Sequence, residues 1–403
     1  MEIQTEYGEV HVLINCPLLS STERLEFMTD VHQYFYGDED REILRDAPRQ
    51  VLSFNYIQFR KEMGDMFHMI EANIDHKWGI PLRHIKIKNI TLNNDDFIQI
   101  DTTKTITDLK NGYVLVQTKS SNQVAKIVGI GRWVIVQEQI IDPDTNEVIQ
   151  EEVTEFQDGF KLSEKLTVSD ASIMPLKICI IDGDVTVGSG GFWSNTTFKF
   201  NVLASDSPEH EAEQPFQYEN EDVYFMPLLK DGSTLEISMS RNQVLVDNEI
   251  GEFVSFSHSS KPFQTKPLKC IFHNADEFLE FRRFLFRRMG RYRAFWMPLY
   301  EKHINFTNTG NITTSLDVDN LYLKEADRNH IAVKRKNGTW TTHKITAKTA
   351  AKLYVTPSIA ADRSDIESIC YLGLYRFDTD HIEFQFLGAG KTQTTILIKE
   401  LLS

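Results

Sequence analysis

Six arginines lie within twelve residues of the second half of this sequence. Guanidinium groups form paired hydrogen bonds with carboxylates and phosphates, so such a cluster could bind a neighbouring acidic protein surface or a nucleic acid. Phe281, Phe284 and Leu285 recur between the arginines at helical spacing, which predicts an amphipathic helix with its arginines outward. The six are Arg282, Arg283, Arg287, Arg288, Arg291 and Arg293.

Three interpretations of this cluster stay open. The arginines could dock onto acids of a neighbouring subunit, or could hold nucleic acid with Tyr292, Phe295 and Trp296 stacking on the bases. The formal net charge of −15 favours the first over the second, because a polyanion repels nucleic acid. A basic face that is merely solvated is an equal alternative to docking. We predict a subunit interface formed by the six arginines and Trp296.

Two glycine-rich stretches resemble nucleotide-binding loops but lack their context. A phosphate-binding loop at residues 388–392 would need a glycine where Gln385 stands, and the residues that follow alternate like a strand. A hairpin turn is therefore favoured there. Residues 188–191 precede no helical pattern and also predict a turn. We predict no nucleotide cofactor.

Other groups that could do chemistry have simpler interpretations. His68, Glu71, Asp75 and His76 fall at helical spacing and could bind a metal ion, but an exposed polar helix face produces the same pattern. The carboxylates at 38–40 and 151–152 are typical of the solvated surface of an acidic chain. The sequence contains no GxSxG or HExxH motif. We predict that the protein is not an enzyme and holds no cofactor or metal.

The elements that must position these residues are mostly short strands. β-branched and aromatic residues alternate along segments that end in Gly, Asn or Asp, a pattern typical of a β-sandwich or barrel. We therefore predict a mainly β (β-rich α+β) fold with two tandem β-sandwich or barrel domains, each with one flanking helix. The clearest segments are 113–119, 131–140, 174–184, 196–203, 251–258, 330–336, 352–357 and 381–386.

Two segments keep a helical period. The first contains Phe67, Ile70 and Ile74, and the second is the arginine-rich helix. Asn274 precedes the second helix with Glu277 three positions later, which predicts an N-cap at Asn274.

The length of 403 residues suits two domains of about 200 residues each. Residues 206–222 include seven acids and two prolines but no Lys or Arg, which predicts a solvated linker. We divide the chain into a first β-rich domain (1–205), an acidic linker with lead-in strands (206–239) and a second β-rich domain (240–403).

The second domain appears in sequence as a repeat of the first, roughly 25–205 against 240–403. In each, a strand leads to a helix and then to a short aromatic–proline segment, at residues 78–82 and 295–299. Pro48 and Pro81 are spaced much like Pro267 and Pro298. Three such matches in the same order favour a duplication.

The four cysteines are far apart and match no metal pattern or disulfide framework, so we predict reduced thiols that are mostly buried. The acidic start of the sequence does not resemble a signal peptide, and no segment is apolar enough to cross a membrane. We expect a protein made and kept in the cytosol.

Two stretches resemble proteins of bacteriophage tails. Residues 27–49 contain Thr-Asp-Val at 29–31, a G-x-E-x-R stretch at 37–41 and an L-R-x-x-P-R stretch at 44–49, which resembles the opening of distal tail proteins. Residues 281–298 contain a helix, an R-x-G-R turn at 288–291 and an F-W-x-P strand at 295–298, similar to tail-tip proteins of long non-contractile tails. The first copy lacks the full R-x-G-R turn.

This resemblance implies a structural virion protein that adapts the tail tube to the baseplate hub and the receptor-binding apparatus. It implies assembly in the host cytoplasm and, as partners, further copies of the chain, the tail tube protein, and hub or fibre proteins. Neither nucleic-acid contact nor membrane insertion is required. The alternative is a tail-associated carbohydrate-binding or glycan-degrading protein.

The predicted duplication bears on symmetry. Tail tubes are commonly sixfold and tip fibres threefold, and three copies of a two-domain chain present six similar domains. The first helix, at 61–77, is acidic where the second is basic, so copy two could meet copy one of the next subunit through opposite charges. We predict a trimer with a pseudo-sixfold ring, with a hexamer as the alternative. Reversing Arg283, Arg287 and Arg288 to Glu is expected to block assembly and leave the monomer folded.

Overall fold

The computed structural model describes most of the chain and shows a mainly β protein with two α-helices in the described part. The elements of its two halves are given in turn below. The residues not described are 18, 35–37, 102–111, 142–147, 204–215, 226–235, 241–242, 248, 250, 258–262, 320–327, 350, 389 and 402–403.

The first half contains thirteen strands and one helix among its described residues. They are β1 (Glu2–Thr5), β2 (Gly8–Val12), β3 (Leu19–Glu26), β4 (Thr29–Gln33), β5 (Glu39–Ile43), β6 (Arg49–Phe59), α1 (Lys61–Asn73), β7 (Lys77–Pro81), β8 (Ile87–Gln99), β9 (Tyr113–Gln117), β10 (Asn122–Ile141), β11 (Val148–Ile181), β12 (Thr186–Ser189) and β13 (Trp193–Val202).

The second half also contains one helix. Its described elements are β14 (Gln217–Tyr218), β15 (Glu221–Val223), β16 (Ser238–Ser240), β17 (Gln243–Val246), β18 (Val254–Ser257), β19 (Phe263–Phe272), α2 (Ala275–Arg288), β20 (Phe295–His303), β21 (Asn311–Ile312), β22 (Ser315–Asp317), β23 (His330–Arg335), β24 (Trp340–Lys348), β25 (Lys352–Thr356), β26 (Ala361–Asp362), β27 (Ile366–Phe377), β28 (His381–Gly388) and β29 (Lys391–Glu400).

One large mixed sheet contains 23 of the described strands, and no closed barrel is formed among them. Three hairpin-like pairs stand apart from it: β4 with β5, β17 with β18, and β21 with β26. The eight strand segments named from the sequence are all confirmed, because alternation of β-branched and aromatic residues is a local signal. Neither described helix is long and apolar enough to span a bilayer.

Strand pairing follows the same order in the two halves. In the first, β6 pairs with β13, β13 with the end of β11, β11 with β7, and β7 runs parallel to β2. In the second, β19 pairs with β29, β29 with β27, β27 with β20, and β20 runs parallel to β15. The outer neighbours also correspond, since β6 pairs with β3 and β19 with β16.

The register of these pairings agrees too. Pro81 lies opposite Leu176 in the first half, and Pro298 lies opposite Leu372 in the second. Pro48 precedes β6, whereas Pro267 lies inside β19, so these two prolines are not equivalent as the spacing suggested. Three residues lie side by side on β7, β11 and β13 of the first half: Trp78, Cys179 and Val202. The residues in the same places on β20, β27 and β29 of the second half are Phe295, Tyr375 and Glu400.

Both halves contribute to one large apolar core. Trp78 packs against Phe198 and Phe200 in the first half, with ring centres 6.0 and 6.1 Å apart. In the second half Phe284 meets Phe295 at 5.1 Å. A separate apolar cluster is formed by β8, β9, β10 and the first part of β11. In the chain these strands lie between β7 and the last part of β11, which pairs with β7.

The predicted helix in the first half exists, but its buried face is not the one expected. Met66 and Ile70 are buried, while Phe67 is 38% and Ile74 is 43% exposed. Ile74 lies beyond the end of α1, so it does not share the helical face. The same helix end places Asp75 and His76 outside the helix and breaks the proposed ligand spacing.

The glycine-rich stretches form turns, as predicted. β28 and β29 are joined at residues 388–391, and Gly388 has a φ of 85° that favours glycine. β12 and β13 are joined through Gly191, whose φ is 86°. Among the cysteines, Cys16 is exposed and Cys179, Cys270 and Cys370 are buried, which confirms the prediction that most of them are buried.

Candidate assembly interface

Local signals define α2, which carries the arginine cluster. The side chain of Asn274 accepts a hydrogen bond from the Glu277 N–H at 2.8 Å, which confirms the predicted N-cap. The Glu277 carboxylate in turn accepts from the His273 N–H at 3.0 Å. Met289 ends the helix with a left-handed φ of 53°, and its N–H donates to the Leu285 carbonyl.

The helix lies close to the place where the two halves of the chain meet. There β3 of the first half pairs antiparallel with β28 of the second, with Leu25 opposite Ile382. Both of these side chains are buried. We call this strand pairing, together with the ion pairs across it that are described next, the junction.

Arg282 crosses the junction inside the protein. Its guanidinium donates to Glu23 on β3 at 2.8 Å, and it lies 4.8 Å from the ring centre of Phe286. The Arg282 side chain is 4% exposed and that of Glu23 is 0% exposed. Gln50 donates to the same Glu23 oxygen at 2.6 Å. The pair therefore ties α2 to β3 through a desolvated contact.

Arg287 and Arg288 bind acidic residues near the start of the second half, so these ion pairs lie within that half. Arg287 donates to Asp222 at 2.9 Å, and Arg288 contacts Asp222 at 3.0 Å and Glu221 at 2.7 Å. Burial lowers the pKa of Arg288 from its ordinary value, although the two carboxylates oppose this. Asp222 is fully buried in β15, so the prediction of a solvated linker is wrong at this end. The rest of that stretch, from 206 to 215, lies outside the described residues.

The R-x-G-R turn forms the second contact across the junction. The backbone N–H of Arg291 donates to Asp380 at 2.9 Å, and its guanidinium donates to the carbonyl of Thr29 at 2.8 Å. Asp380 also accepts from the Thr29 N–H at 2.8 Å. Gly290 has a φ of 63°, which lets the chain turn toward this carboxylate. One carboxylate thus holds the turn after α2 and the start of β4 together.

The remaining predicted residues lie at different depths. Arg283 is half-buried and Arg293 is exposed. Trp296 is buried in β20, where its ring lies 4.6 Å from that of His330 and 5.6 Å from that of Tyr218. Phe295 is buried as well, so neither aromatic side chain is presented on the surface for base stacking.

The prediction that the arginines point outward is wrong for Arg282 and Arg288. Apolar spacing identifies the buried face of a helix, but it cannot distinguish a solvated arginine from one that reaches a buried carboxylate. Reversing Arg283, Arg287 and Arg288 to Glu is therefore expected to disturb the fold itself. The role of the cluster between subunits stays a prediction, since the partners described above belong to the same chain.

Glu39 is a junction residue that was interpreted as solvated surface in the sequence. It accepts from Arg376 at 2.7 and 3.0 Å and from Lys399 at 2.6 Å, and its side chain is only 4% exposed. Burial would raise its pKa, but the hydrogen bonds from Arg376 and Lys399 lower the pKa of Glu39 to about 2. The signal that marks it is the third position of the G-x-E-x-R stretch. The side chains of Glu151 and Glu152 lie outside the described part.

Replacing Glu39 by Gln is expected to change how acid affects stability. Because the pKa of Glu39 falls from an ordinary 4.5 to about 2 on folding, its contribution is complete above pH 4.5 and is lost as the pH falls toward 2. Glu39→Gln should cost about 1.5–3 kcal/mol at pH 7 and flatten the acid limb of the profile. Urea unfolding at pH 7, 4 and 3 measures both effects.

Glu367→Gln is the matched control for this prediction. Glu367 also pairs with a cation, Lys334, at 2.7 Å, but its side chain is 47% exposed, so the pair contributes little. An acid limb that is equally steep in Glu39→Gln and in the unchanged protein would contradict the assignment of Glu39.

The chemistry of this region is that of stabilising contacts. Its carboxylates are bound by arginines or lysines, and no group of three possible metal ligands occurs among the described residues. No protein-family model matches this chain, and a search of curated proteins also found no match.

Proposed function

We propose that this chain is a structural virion protein of the tail tip of a long, non-contractile bacteriophage, where it joins the tail tube to the hub and the receptor-binding apparatus. The observation that carries the proposal is that three motifs of the resemblance each supply a contact between the two halves. Thr29 of the T-D-V segment, Glu39 of G-x-E-x-R and Arg291 of R-x-G-R all bind across the junction. The residues that resemble tail proteins are therefore those that fix one half against the other.

We further propose that the two halves are diverged copies of one domain. The support is the shared pairing order of five strands, the matching register across three of them, and the helix that follows β6 and β19 alike. Each copy also begins with a short hairpin, β1–β2 or β14–β15, whose second strand takes the parallel position. Insertions differ in the two copies but follow equivalent strands, β7 and β20.

In this proposal three copies of the chain present six similar domains to the tail tube and threefold symmetry to the fibres below. The junction supports it, because the first half contributes β3 and the second contributes β28, so the two halves meet head to tail. A head-to-tail contact that repeats closes into a ring if its rotation allows. Self-association of this kind needs no catalytic group, cofactor or metal.

Electron microscopy of the purified full-length chain tests the proposal. Negatively stained rings, or short stacks on added tail tube protein, are the expected result, and native mass measurement should give three chains per ring. Single particles at every protein concentration would contradict the structural role, and six chains per ring would reject the trimer in favour of the hexamer. Glycan turnover that a single carboxylate substitution abolishes would favour the alternative of a glycan-degrading protein.

A further inference from the structure

Each half of the chain has one strand edge that resembles a strand of the junction but has no described partner. β12 in the first half takes the place of β28, since each is the hairpin strand before the last strand of its half. β16 in the second half takes the place of β3, since each pairs with the strand before the helix. In the described part of the chain β12 pairs only with β13 and β16 only with β19. The first half therefore presents a β28-like edge and the second a β3-like edge.

Side-chain exposure distinguishes the filled edge from the open one. Leu25 on β3 lies opposite Gln50, and Met239 on β16 lies opposite Gln264, the equivalent position. Leu25 is 0% exposed and belongs to the main apolar core, whereas Met239 is 63% exposed. An exposed methionine on an unpaired strand edge is a liability in a monomer and a contact in an assembly.

An exposed apolar side chain, Ile180, belongs to the half that carries the open β28-like edge. At the junction, Glu39 of the β4–β5 hairpin contacts Arg376 and Lys399, which lie opposite each other on β27 and β29. The equivalent opposed pair in the first half is Ile180 and Asn201, and Ile180 is 41% exposed. The charged contact of the junction is thus replaced by an apolar group on the open side of the first half.

The hairpin that follows the open β3-like edge is apolar to match. β17–β18 takes the place of β4–β5 in chain order and likewise forms a separate two-stranded sheet. Five apolar side chains of this hairpin are 45–67% exposed, whereas the exposed side chains within β4 and β5 are polar or charged. The five are Val244, Leu245, Phe253, Val254 and Phe256.

We propose that a second copy of this chain fills these edges and repeats the junction between molecules. β16 of one copy pairs antiparallel with β12 of the next, which extends both sheets by edge addition. The register follows from the junction, where Leu25 lies opposite Ile382, two residues before Phe384. Phe384 and Val187 lie opposite Thr394 and Thr196, which are equivalent positions. Ile382 is therefore equivalent to Val185, the residue just before β12, and Met239 faces Val185 of the next copy.

The apolar β17–β18 hairpin then covers the surface around Ile180 of the next copy, as β4–β5 covers Arg376 inside the chain. The charged hairpin β4–β5 does not fit the apolar surface around Ile180, because Glu39 would be buried there without a cation to bind it. Each second half therefore selects the first half of another copy. The inference rests on the ring assembly proposed above, and it assigns the surface that closes the ring.

Paired cysteines test the register directly. In a Cys16→Ser background, Met239→Cys together with Val185→Cys should give, under mild oxidation, a ladder of linked dimers and trimers on a non-reducing gel. Met239→Cys with Val128→Cys is the matched control, since Val128 is 49% exposed on β10, away from both edges, and no ladder is expected. A ladder of equal strength in the control, or a link within one chain only, would overturn the inference.

A charge on the edge provides the second measurement. Met239→Lys should weaken association about tenfold or more, because the buried apolar contact is lost, and should leave the monomer folded since the side chain is exposed. Val128→Lys should leave the rings unchanged. Rings that persist in Met239→Lys, with no ladder from the cysteine pair, overturn the assigned edges and leave the proposed function standing. An unchanged protein that stays monomeric at every concentration overturns both.

Discussion

Replacing Arg282 by Ala is expected to lower the free energy of unfolding by about 3–5 kcal/mol. The substitution leaves the Glu23 carboxylate, which is 0% exposed, without the guanidinium that binds it at 2.8 Å. It also removes the contact of that guanidinium with the ring of Phe286. Glu23 would keep its hydrogen bond from Gln50 but lose the guanidinium, and this accounts for most of the loss because a buried carboxylate without its cation is costly. Urea unfolding at neutral pH measures the change.

Two further variants separate the buried pair from simple loss of an arginine. Arg293→Ala removes an exposed arginine of the same cluster and is expected to change stability by no more than about 0.5 kcal/mol. The triple variant Glu23→Leu, Arg282→Met and Gln50→Leu removes both charges and the amide that donates to Glu23, and it should recover most of the stability, since a buried polar group can be replaced by apolar residues of similar size. Equal losses for Arg282→Ala and Arg293→Ala would show that the pair does not hold the junction.

The elements of the fold could be predicted because their signals are local. The N-cap at Asn274 depends on residues within three positions, and the hairpin at 388–391 depends on its glycines and the alternation around it. The buried face of α1 was harder to predict. Phe67 and Ile70 both suit a helical period, but only Ile70 is buried. A single period does not determine which neighbouring element will cover each face.

The partners of the arginines could not be predicted, because they lie far away in the sequence. Glu23 precedes Arg282 by 259 positions, and Asp380 follows Arg291 by 89. In an acidic chain every arginine has many candidate carboxylates, and composition favours none of them. Glu39 and Arg291 both lie in motifs of the resemblance, but Glu39 was interpreted as solvated surface. Only the meeting of the two halves at β3 and β28 reveals its buried partners Arg376 and Lys399.

Gly290 is the residue of that contact most sensitive to a single added carbon. Gly290→Ala is expected to cost about 2–5 kcal/mol, from a left-handed backbone and from crowding. A Cβ at this position would lie 2.4 Å from the Asp380 carboxylate and 2.8 Å from Cβ of Phe27. Asp380 cannot move away freely, because it accepts hydrogen bonds from the N–H groups of Thr29 and Arg291. Thermal and urea unfolding of the variant measure the loss.

Gly338→Ala separates the two contributions. Gly338 has a φ of 87°, but a Cβ there would meet nothing within 4 Å, so this variant carries only the backbone cost of about 1–2 kcal/mol. The difference between the two variants is then the cost of displacing Asp380 and Phe27 from the junction. If Gly290→Ala loses no more stability than Gly338→Ala, then Asp380 and Phe27 can move aside for the added Cβ at little cost in free energy. The R-x-G-R turn would then act through its backbone conformation alone.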